Sequence, residues 1–161
     1  MERDNRKIIS KNSPLFFIII AAVVFVLDQF TKQIIKTNVT PFDVIRVLPF
    51  FNIVYAENVG SAFGMFKSLG NAFFVAVAGL AAVVITVMIW KDKENRLGLS
   101  LILGGAVGNL ADRIIYGYVI DFLDCHAAGY HWPAFNVADS ALTVGTTLII
   151  VKMFLPNPRV S

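Results

Sequence analysis

Four long apolar stretches dominate the sequence and restrict the folds that it can adopt. They cover about residues 14–35, 72–90, 97–115 and 137–155, and the second contains no charged residue. A helix of about 20 residues crosses the hydrocarbon core of a bilayer. The chain is 57% hydrophobic and only 16% charged, whereas soluble domains average about 25% charged residues. We therefore predict an all-α integral membrane protein with four transmembrane helices, forming one domain over residues 1–161.

The segment between the first two apolar stretches does not look like a membrane span. It is polar and is interrupted by proline and glycine. Within it, residues 47–55 are rich in strand-forming side chains and predict a short strand or hairpin at the membrane surface. Phe63, Met65 and Phe66 follow among small residues and could enter the interface. We expect this β element and its loop to cap one end of the helices, on the extracytoplasmic side.

Basic side chains are divided unequally between the two ends of the predicted helices. The amino tail has four, the turn at residues 91–96 three and the carboxyl end two, against three in the first loop and none in the second. By the positive-inside rule, both termini lie in the cytoplasm. The aspartates near the span ends would then gather at the outer face of the membrane: Asp28, Asp112, Asp121, Asp124 and Asp139.

The charge pattern and the cysteine count exclude two common classes of protein, nucleic-acid-binding proteins and disulfide-rich proteins. The net charge is +3, but no basic face alternates with exposed aromatic side chains, so nucleic-acid binding is not expected. The chain has one cysteine, Cys125, which excludes an internal disulfide framework. We interpret Cys125 as a loop thiol without a function.

Two aspartates have the placement that acid–base chemistry requires. Asp121 follows the third span within an apolar run, and Asp139 begins the fourth span. Because a modest loop joins these two spans, their outer ends should be neighbours. Two close carboxylates in a partly dry site share a proton. One can then deprotonate a water molecule while the other protonates a carbonyl or a leaving amine, as in aspartic proteases.

The residues alone leave other interpretations open. Asp139 could be a first-turn acid stabilised by the helix dipole, with Asn136 as the N-cap. Asp112 and Arg113 could form an interfacial ion pair in which Asp112 supports Arg113, and Asp124 could be a solvated loop acid. Ion or proton transport also remains possible, although transporters usually place their charges at mid-bilayer.

The polar residues near the span ends include one possible acid–base pair and several possible metal ligands. Asp28 and Lys32 are spaced i,i+4 and could pair on one helix face, either to neutralise two charges or to support a site. The second loop offers possible metal ligands, but their spacing matches no zinc pattern: Asp121, Asp124, His126 and His131. We therefore predict no metal.

Five blocks of the sequence occur in an order that is typical of one enzyme family. They are Leu27-Asp28-Gln29 with Lys32, Asn58-x-Gly60-x-Ala62-Phe63-Gly64, Asn109-Leu110-Ala111-Asp112-Arg113, Val119-Ile120-Asp121-Phe122 and Phe135-Asn136-Val137-Ala138-Asp139-Ser140. Together with the four-helix hydropathy, these blocks resemble the signature of lipoprotein signal peptidase, the type II signal peptidase of bacteria. The resemblance extends from about Asp28 to Ser140.

The resemblance implies a hydrolase of the bacterial cytoplasmic membrane with its site at the outer face. Such aspartic endopeptidases remove the signal peptide from prolipoproteins, cutting before the cysteine that carries a diacylglyceryl group. It implies catalytic roles for Asp121 and Asp139, no metal or other cofactor, contact with membrane lipids, and inhibition by globomycin. We expect a monomer. The resemblance also implies pocket-lining or supporting roles for Asp28, Lys32, Asn58, Gly60, Asn109, Asp112, Arg113 and Asn136. The alternative is a small transporter or a non-catalytic lipid- or peptide-binding membrane protein.

Overall fold

A computed structural model describes residues 13–60 and 70–155 of the chain. The described part contains four long helices and four strands. In chain order they are α1 (Pro14–Asn38), β1 (Ile45–Leu48), β2 (Phe51–Asn58), α2 (Gly70–Lys91), α3 (Arg96–Ile115), β3 (Val119–Ala127), β4 (Tyr130–His131) and α4 (Val137–Phe154). All four helices are long and apolar enough to cross a membrane. The predicted four-helix membrane fold is confirmed, with each span boundary within three residues of its expected position.

Helix α3 lies at the centre of the bundle and contacts each of the other three helices. Its glycines permit this close packing because they carry no side chain at the crossing points. A Cβ atom at Gly104 would lie 2.6 Å from the carbonyl oxygen of Ala21 in α1, and one at Gly105 would lie 2.4 Å from that of Ala138 in α4. The small-residue surface of α3 is therefore occupied within the chain.

The other three helices leave most of their apolar surface uncovered, as expected for helices that face lipid. Inside the bundle, Ala21, Ile89, Leu99 and Leu103 form a buried apolar cluster. The turn between α2 and α3 is fixed by Arg96, whose Nε atom donates to the carbonyl oxygen of Ile89 at 2.8 Å. This bond satisfies one of the carbonyl groups that a helix end leaves without a partner.

The strands form one antiparallel sheet in the order β1-β2-β3-β4. The hairpin β1–β2 confirms the strand or hairpin expected at residues 47–55. Strand β3 was not expected, since residues 116–136 were interpreted as a loop. The sheet joins the loop after α1 to the loop after α3, at the end of the bundle where α4 begins. The expected interfacial segment at residues 63–66 lies outside the described residues.

Candidate active site

Asp121 lies in strand β3, where its backbone is paired with Ala56 of β2. Asn58 is two residues further along β2 and therefore points to the same face of the sheet. Its Nδ2 atom donates to Oδ2 of Asp121 at 3.0 Å. Its Oδ1 atom accepts from the backbone N–H of Gly60 at 3.1 Å. The sheet thus fixes the Asp121 carboxylate beside the loop that follows β2.

Asp139 lies in the first turn of α4, and Asn136 is the N-cap of that helix. The Oδ1 atom of Asn136 accepts from the backbone N–H of Asp139 at 2.8 Å, which confirms the predicted cap. The positive end of the helix dipole stabilises an acidic side chain at this position. Helix capping and a role in chemistry are compatible, because the cap uses the backbone of Asp139 and leaves its carboxylate free for other contacts.

Two asparagine side chains connect the carboxylates of Asp121 and Asp139. The Nδ2 atom of Asn136 donates to Oδ1 of Asp121 at 2.7 Å and to Oδ1 of Asn109 at 3.2 Å. The Nδ2 atom of Asn109 donates to Oδ1 of Asp139 at 2.8 Å. One continuous hydrogen-bond chain therefore extends from β3 to α4 through α3. The sequence placed the two aspartates at neighbouring helix ends, but it did not indicate this amide connection.

The surroundings of Asp121 favour its protonated form. Burial, followed by the negative charge of Asp139, raises the pKa of Asp121 to about 7. The hydrogen bonds from Asn58 and Asn136 and the positive charge of Lys32 oppose this rise. A carboxyl group with a pKa near neutrality can donate and regain a proton at physiological pH.

Behind the two aspartates lies a buried charge triad, formed by Asp28, Lys32 and Asp112. Each side chain is at most 2% exposed. The Lys32 ammonium lies 2.8 Å from Oδ2 of Asp28 and 2.9 Å from Oδ2 of Asp112. The expected i,i+4 pair in α1 therefore forms. It is buried and has a third member, Asp112, from α3.

The structure corrects the expected ion pair between Asp112 and Arg113. Neighbouring residues of a helix point in different directions, so Asp112 faces Lys32. Arg113 donates through Nη2 to the carbonyl oxygen of Gly60 at 2.9 Å, and its guanidinium lies 4.7 Å above the Phe74 ring. Within the described residues, the buried Nη1 atom of Arg113 has no hydrogen-bond partner.

Asp124 also differs from expectation, because it is buried and not a solvated loop acid. It accepts from Nδ2 of Asn52 at 2.8 Å, and Nδ1 of His131 lies 2.8 Å from its Oδ1 atom. Burial raises the pKa of Asp124, but these two hydrogen bonds and the charges of His131 and His126 together outweigh it, so the pKa lies below its usual value. Among the described residues, no three His, Cys, Asp or Glu side chains are grouped as a metal site. Asp124 instead belongs, with Asn52 and His131, to a hydrogen-bonded cluster that connects strands β2 and β3 and is separate from Asp121 and Asp139.

Gln29 belongs to the first of the five family blocks, but it is not among the site residues that the resemblance implies. Its Nε2 atom donates to Oδ1 of Asp112 at 2.9 Å and to Oδ2 of Asp28 at 3.2 Å. An amide within an apolar helix is itself a signal, because polar groups are costly inside a membrane. Gln29 therefore satisfies oxygens of the two acids in the triad.

A cavity of about 1030 Å³ opens in front of the two aspartates. Its polar wall is formed by Asp121, Asp139, Asn58, Asn109 and Arg113, and Gly60 also lines it. The rest of the lining is largely apolar and includes these side chains: Val59, Trp132, Pro133, Phe135, Leu142 and Val144. Most site residues predicted from sequence thus surround one cavity. Asp28, Lys32, Asp112 and Asn136 lie buried behind its wall.

Comparisons of the sequence with a family model and with known proteins point to the same family. The family model described as signal peptidase (SPase) II matches residues 20–155. The lipoprotein signal peptidase of Thermodesulfovibrio yellowstonii is 48% identical over 130 residues, covering 81% of this chain and 88% of that protein. The lipoprotein signal peptidase of Solibacter usitatus is 44% identical over 147 residues, with 86% and 90% covered.

Solved structures agree with these relatives. A bacterial membrane enzyme determined by the in meso method at 2.3 Å resolution superposes with a TM-score of 0.79 at 36% identity, covering 86% of this chain and 87% of the other. A second, determined at 1.9 Å, gives the same TM-score at 35% identity, with 88% and 94% covered. This multi-pass bacterial membrane protein is a peptidase that belongs to the signal peptidase II family.

Proposed function

We propose that Asp121 and Asp139 are the catalytic dyad with which this signal peptidase II removes the signal peptide of diacylglyceryl-modified prolipoproteins. The observation that carries the proposal is the hydrogen-bond chain that joins the two carboxylates through Asn136 and Asn109. It fixes both carboxylates on the polar wall of one cavity, as a reaction with two acid–base groups requires.

The two aspartates divide the proton transfers between them. Asp139, at a helix N-terminus, begins ionised and takes a proton from the attacking water, whose oxygen bonds to the scissile carbonyl carbon. Asp121 begins protonated and gives its proton to the carbonyl oxygen. When the tetrahedral intermediate collapses, the C–N bond breaks and Asp139 gives its proton to the leaving amine of the lipidated cysteine. One hydroxyl of the intermediate returns a proton to Asp121, which restores the starting state.

The rest of the cavity holds the substrate. The Nη1 atom of Arg113 is free, within the described chain, to donate to a substrate carbonyl. The apolar residues of α4 that line the cavity, Leu142 and Val144, offer a surface for the acyl chains of the substrate and of membrane lipids. We propose that globomycin inhibits by occupying the same cavity.

Cleavage of a synthetic diacylglyceryl-modified signal peptide by the purified protein tests the dyad. Asp121→Asn and Asp139→Asn are each expected to reduce kcat by about 1,000-fold or more, since each removes one proton-transfer group. Asp124→Asn is the matched control, because Asp124 is on the same strand as Asp121 but binds Asn52 and His131. A properly folded dyad variant that cleaves at the wild-type rate would exclude the proposal.

We propose further that both termini lie in the cytoplasm and that the cavity opens at the outer face. The unequal distribution of basic residues supports this orientation. Cys125, the single cysteine, lies in strand β3 and provides the test. A membrane-impermeant maleimide should label Cys125 in intact cells. In a variant that carries both Cys125→Ser and Lys93→Cys, the cysteine at position 93 should be labelled only after lysis. Labelling in the reverse pattern would invert the topology.

We propose that the chain acts as a monomer. The small-residue surface of α3 supports this, because Gly104 and Gly105 already pack against α1 and α4 of the same chain. Cross-linking in native membranes at increasing dilution should leave the mass of one chain. A persistent dimer would contradict the proposal.

A further inference from the structure

We propose that Lys32 is a positioning residue, which aligns both catalytic aspartates through the buried charge triad and through Asn109. The inference rests on the proposed dyad and adds the means by which its geometry is set. Three observations carry it: the backbone bonds of the triad, the orientation of one amide, and the close packing of Gly108.

Each acid of the triad binds the backbone immediately before one catalytic aspartate. The N–H of Ala138, which precedes Asp139, donates to Oδ1 of Asp28 at 2.8 Å. The N–H of Ile120, which precedes Asp121, donates to Oδ2 of Asp112 at 3.1 Å. Lys32 lies between the two acids and holds them together. The start of α4 and the start of β3 are thereby connected to one cation.

Lys32, together with Asn136, fixes the direction in which the Asn109 amide points, because both donate to its oxygen. Its Nζ atom donates to Oδ1 of Asn109 at 3.0 Å. An ammonium group has donors and no acceptor, so it selects the orientation in which the amide oxygen faces Lys32 and the amide nitrogen faces Asp139. Without Lys32, only the longer bond from Asn136, at 3.2 Å, would oppose reversal of this amide. A reversed amide would present its oxygen to the Asp139 carboxylate. The hydrogen-bond chain between the aspartates would then be broken at Asn109.

If the triad only stabilised the fold, its substitution would change the stability of the protein and not the rate of the chemical step. Buried ion pairs contribute little to stability when they are replaced as a whole by apolar side chains, and many buried charges serve only to satisfy one another. A positioning residue instead changes the rate of the chemical step at constant folded fraction. A misplacement of about 1 Å at the reacting groups can lower a rate by about 100-fold.

The first test compares Lys32→Met with Lys36→Met, one turn further along α1. Lys36 lies over the Tyr116 ring and has no contact with the triad or the dyad among those described. For Lys32→Met we expect kcat per folded enzyme to fall by about 100-fold with KM within about threefold of wild type. Because the charge of Lys32 opposes the raised pKa of Asp121, the pH profile of the residual activity should move to higher pH. Lys36→Met should resemble wild type in kcat and pH profile.

The second test disturbs the triad without removing a charge. A Cβ atom at Gly108 would lie 2.6 Å from Oδ2 of Asp28, the oxygen that binds Lys32, whereas one at Gly79 in α2 would meet nothing within 4 Å. Both substitutions to alanine gain the same helix propensity. We expect Gly108→Ala to lower kcat by about 10-fold or more while Gly79→Ala leaves it unchanged.

The outcomes separate the two proposals. If Asp121→Asn or Asp139→Asn cleaves normally, the dyad itself fails, whatever Lys32 does. If both are inactive while folded Lys32→Met and Gly108→Ala retain the wild-type kcat, only the positioning role is excluded. A loss of activity in Lys32→Met that matches the loss of folded protein, with an unchanged pH profile, would also exclude positioning and leave a structural triad.

Discussion

Replacing Asn58 with leucine removes a hydrogen-bond donor from Asp121 while keeping a side chain of similar size beside it. The catalytic form proposed here has Asp121 protonated, with its pKa raised to about 7 by burial and by the charge of Asp139. Activity should therefore fall as the pH rises through that value. The protonated fraction changes from about nine-tenths at pH 6 to about one-tenth at pH 8, so kcat/KM should fall roughly tenfold over this range.

The leucine variant should move this descending limb to higher pH. The donated hydrogen bond favours the ionised carboxylate, so its loss raises the pKa of Asp121 further. A hydrogen bond to a charged group contributes about 1.5–3 kcal/mol and one pKa unit corresponds to about 1.4 kcal/mol, so the limb should move up by roughly one to two units. Because Asn58 also binds Gly60, the comparison uses the shape of each profile and not its absolute height.

The measurement is kcat/KM for a fluorescent lipopeptide from pH 5 to pH 9, in lipid or detergent of constant composition. This parameter reports the ionisation of the free enzyme. Asn52→Leu is the matched control, because Asn52 is in the same strand but donates to Asp124. Its limb should coincide with that of wild type. A profile that is flat between pH 6 and pH 8, or an Asn58→Leu limb that stays or moves down, would refute the protonation assignment.

Two further predictions concern ionisation and packing. In Asp121→Asn, infrared spectroscopy at pH 7 should show Asp139 as a carboxylate, identified by loss of its bands in a variant that also carries Asp139→Asn; a protonated Asp139 would contradict its role as the base. Gly105→Ala should destabilise the protein by about 1–3 kcal/mol in reversible unfolding, because its Cβ would lie 2.4 Å from the carbonyl oxygen of Ala138. Equal stability of Gly105→Ala and Gly79→Ala would contradict the close packing of α3 against α4.

The helices were predictable because each has a simple sequence signal. A bilayer requires an apolar run of defined length, and the chain supplies four of them. The hairpin β1–β2 was also predictable, since strand-forming residues lie between turn residues. The N-cap Asn136 follows from one residue type at one position. These signals are local, and the physical constraint that produces each of them acts over a few turns or strands.

Strand β3 carried no comparable signal. Its residues do not alternate between apolar and polar, because both of its faces are largely buried. Its pairing with β2 joins residues more than sixty positions apart. The ion-pair partner of Asp112 could not be predicted for the same reason. Arg113 is adjacent in sequence, whereas Lys32 is eighty residues away and is brought close to Asp112 only by helix packing. Local reasoning could name the polar residues but could not pair them.

The two aspartates are held by elements of different kind, and in the proposed mechanism this difference suits them to different tasks. Asp139 lies at a helix N-terminus, where the helix dipole favours a negative charge. Asp121 lies on a strand among buried neighbours and beside a second acid, where the neutral form is favoured. A dyad needs one proton between two groups, and two equivalent carboxylates would leave its position undetermined. By placing one acid on α4 and the other on β3, with Asn136 contacting both, the fold favours the proton on Asp121 before the substrate arrives.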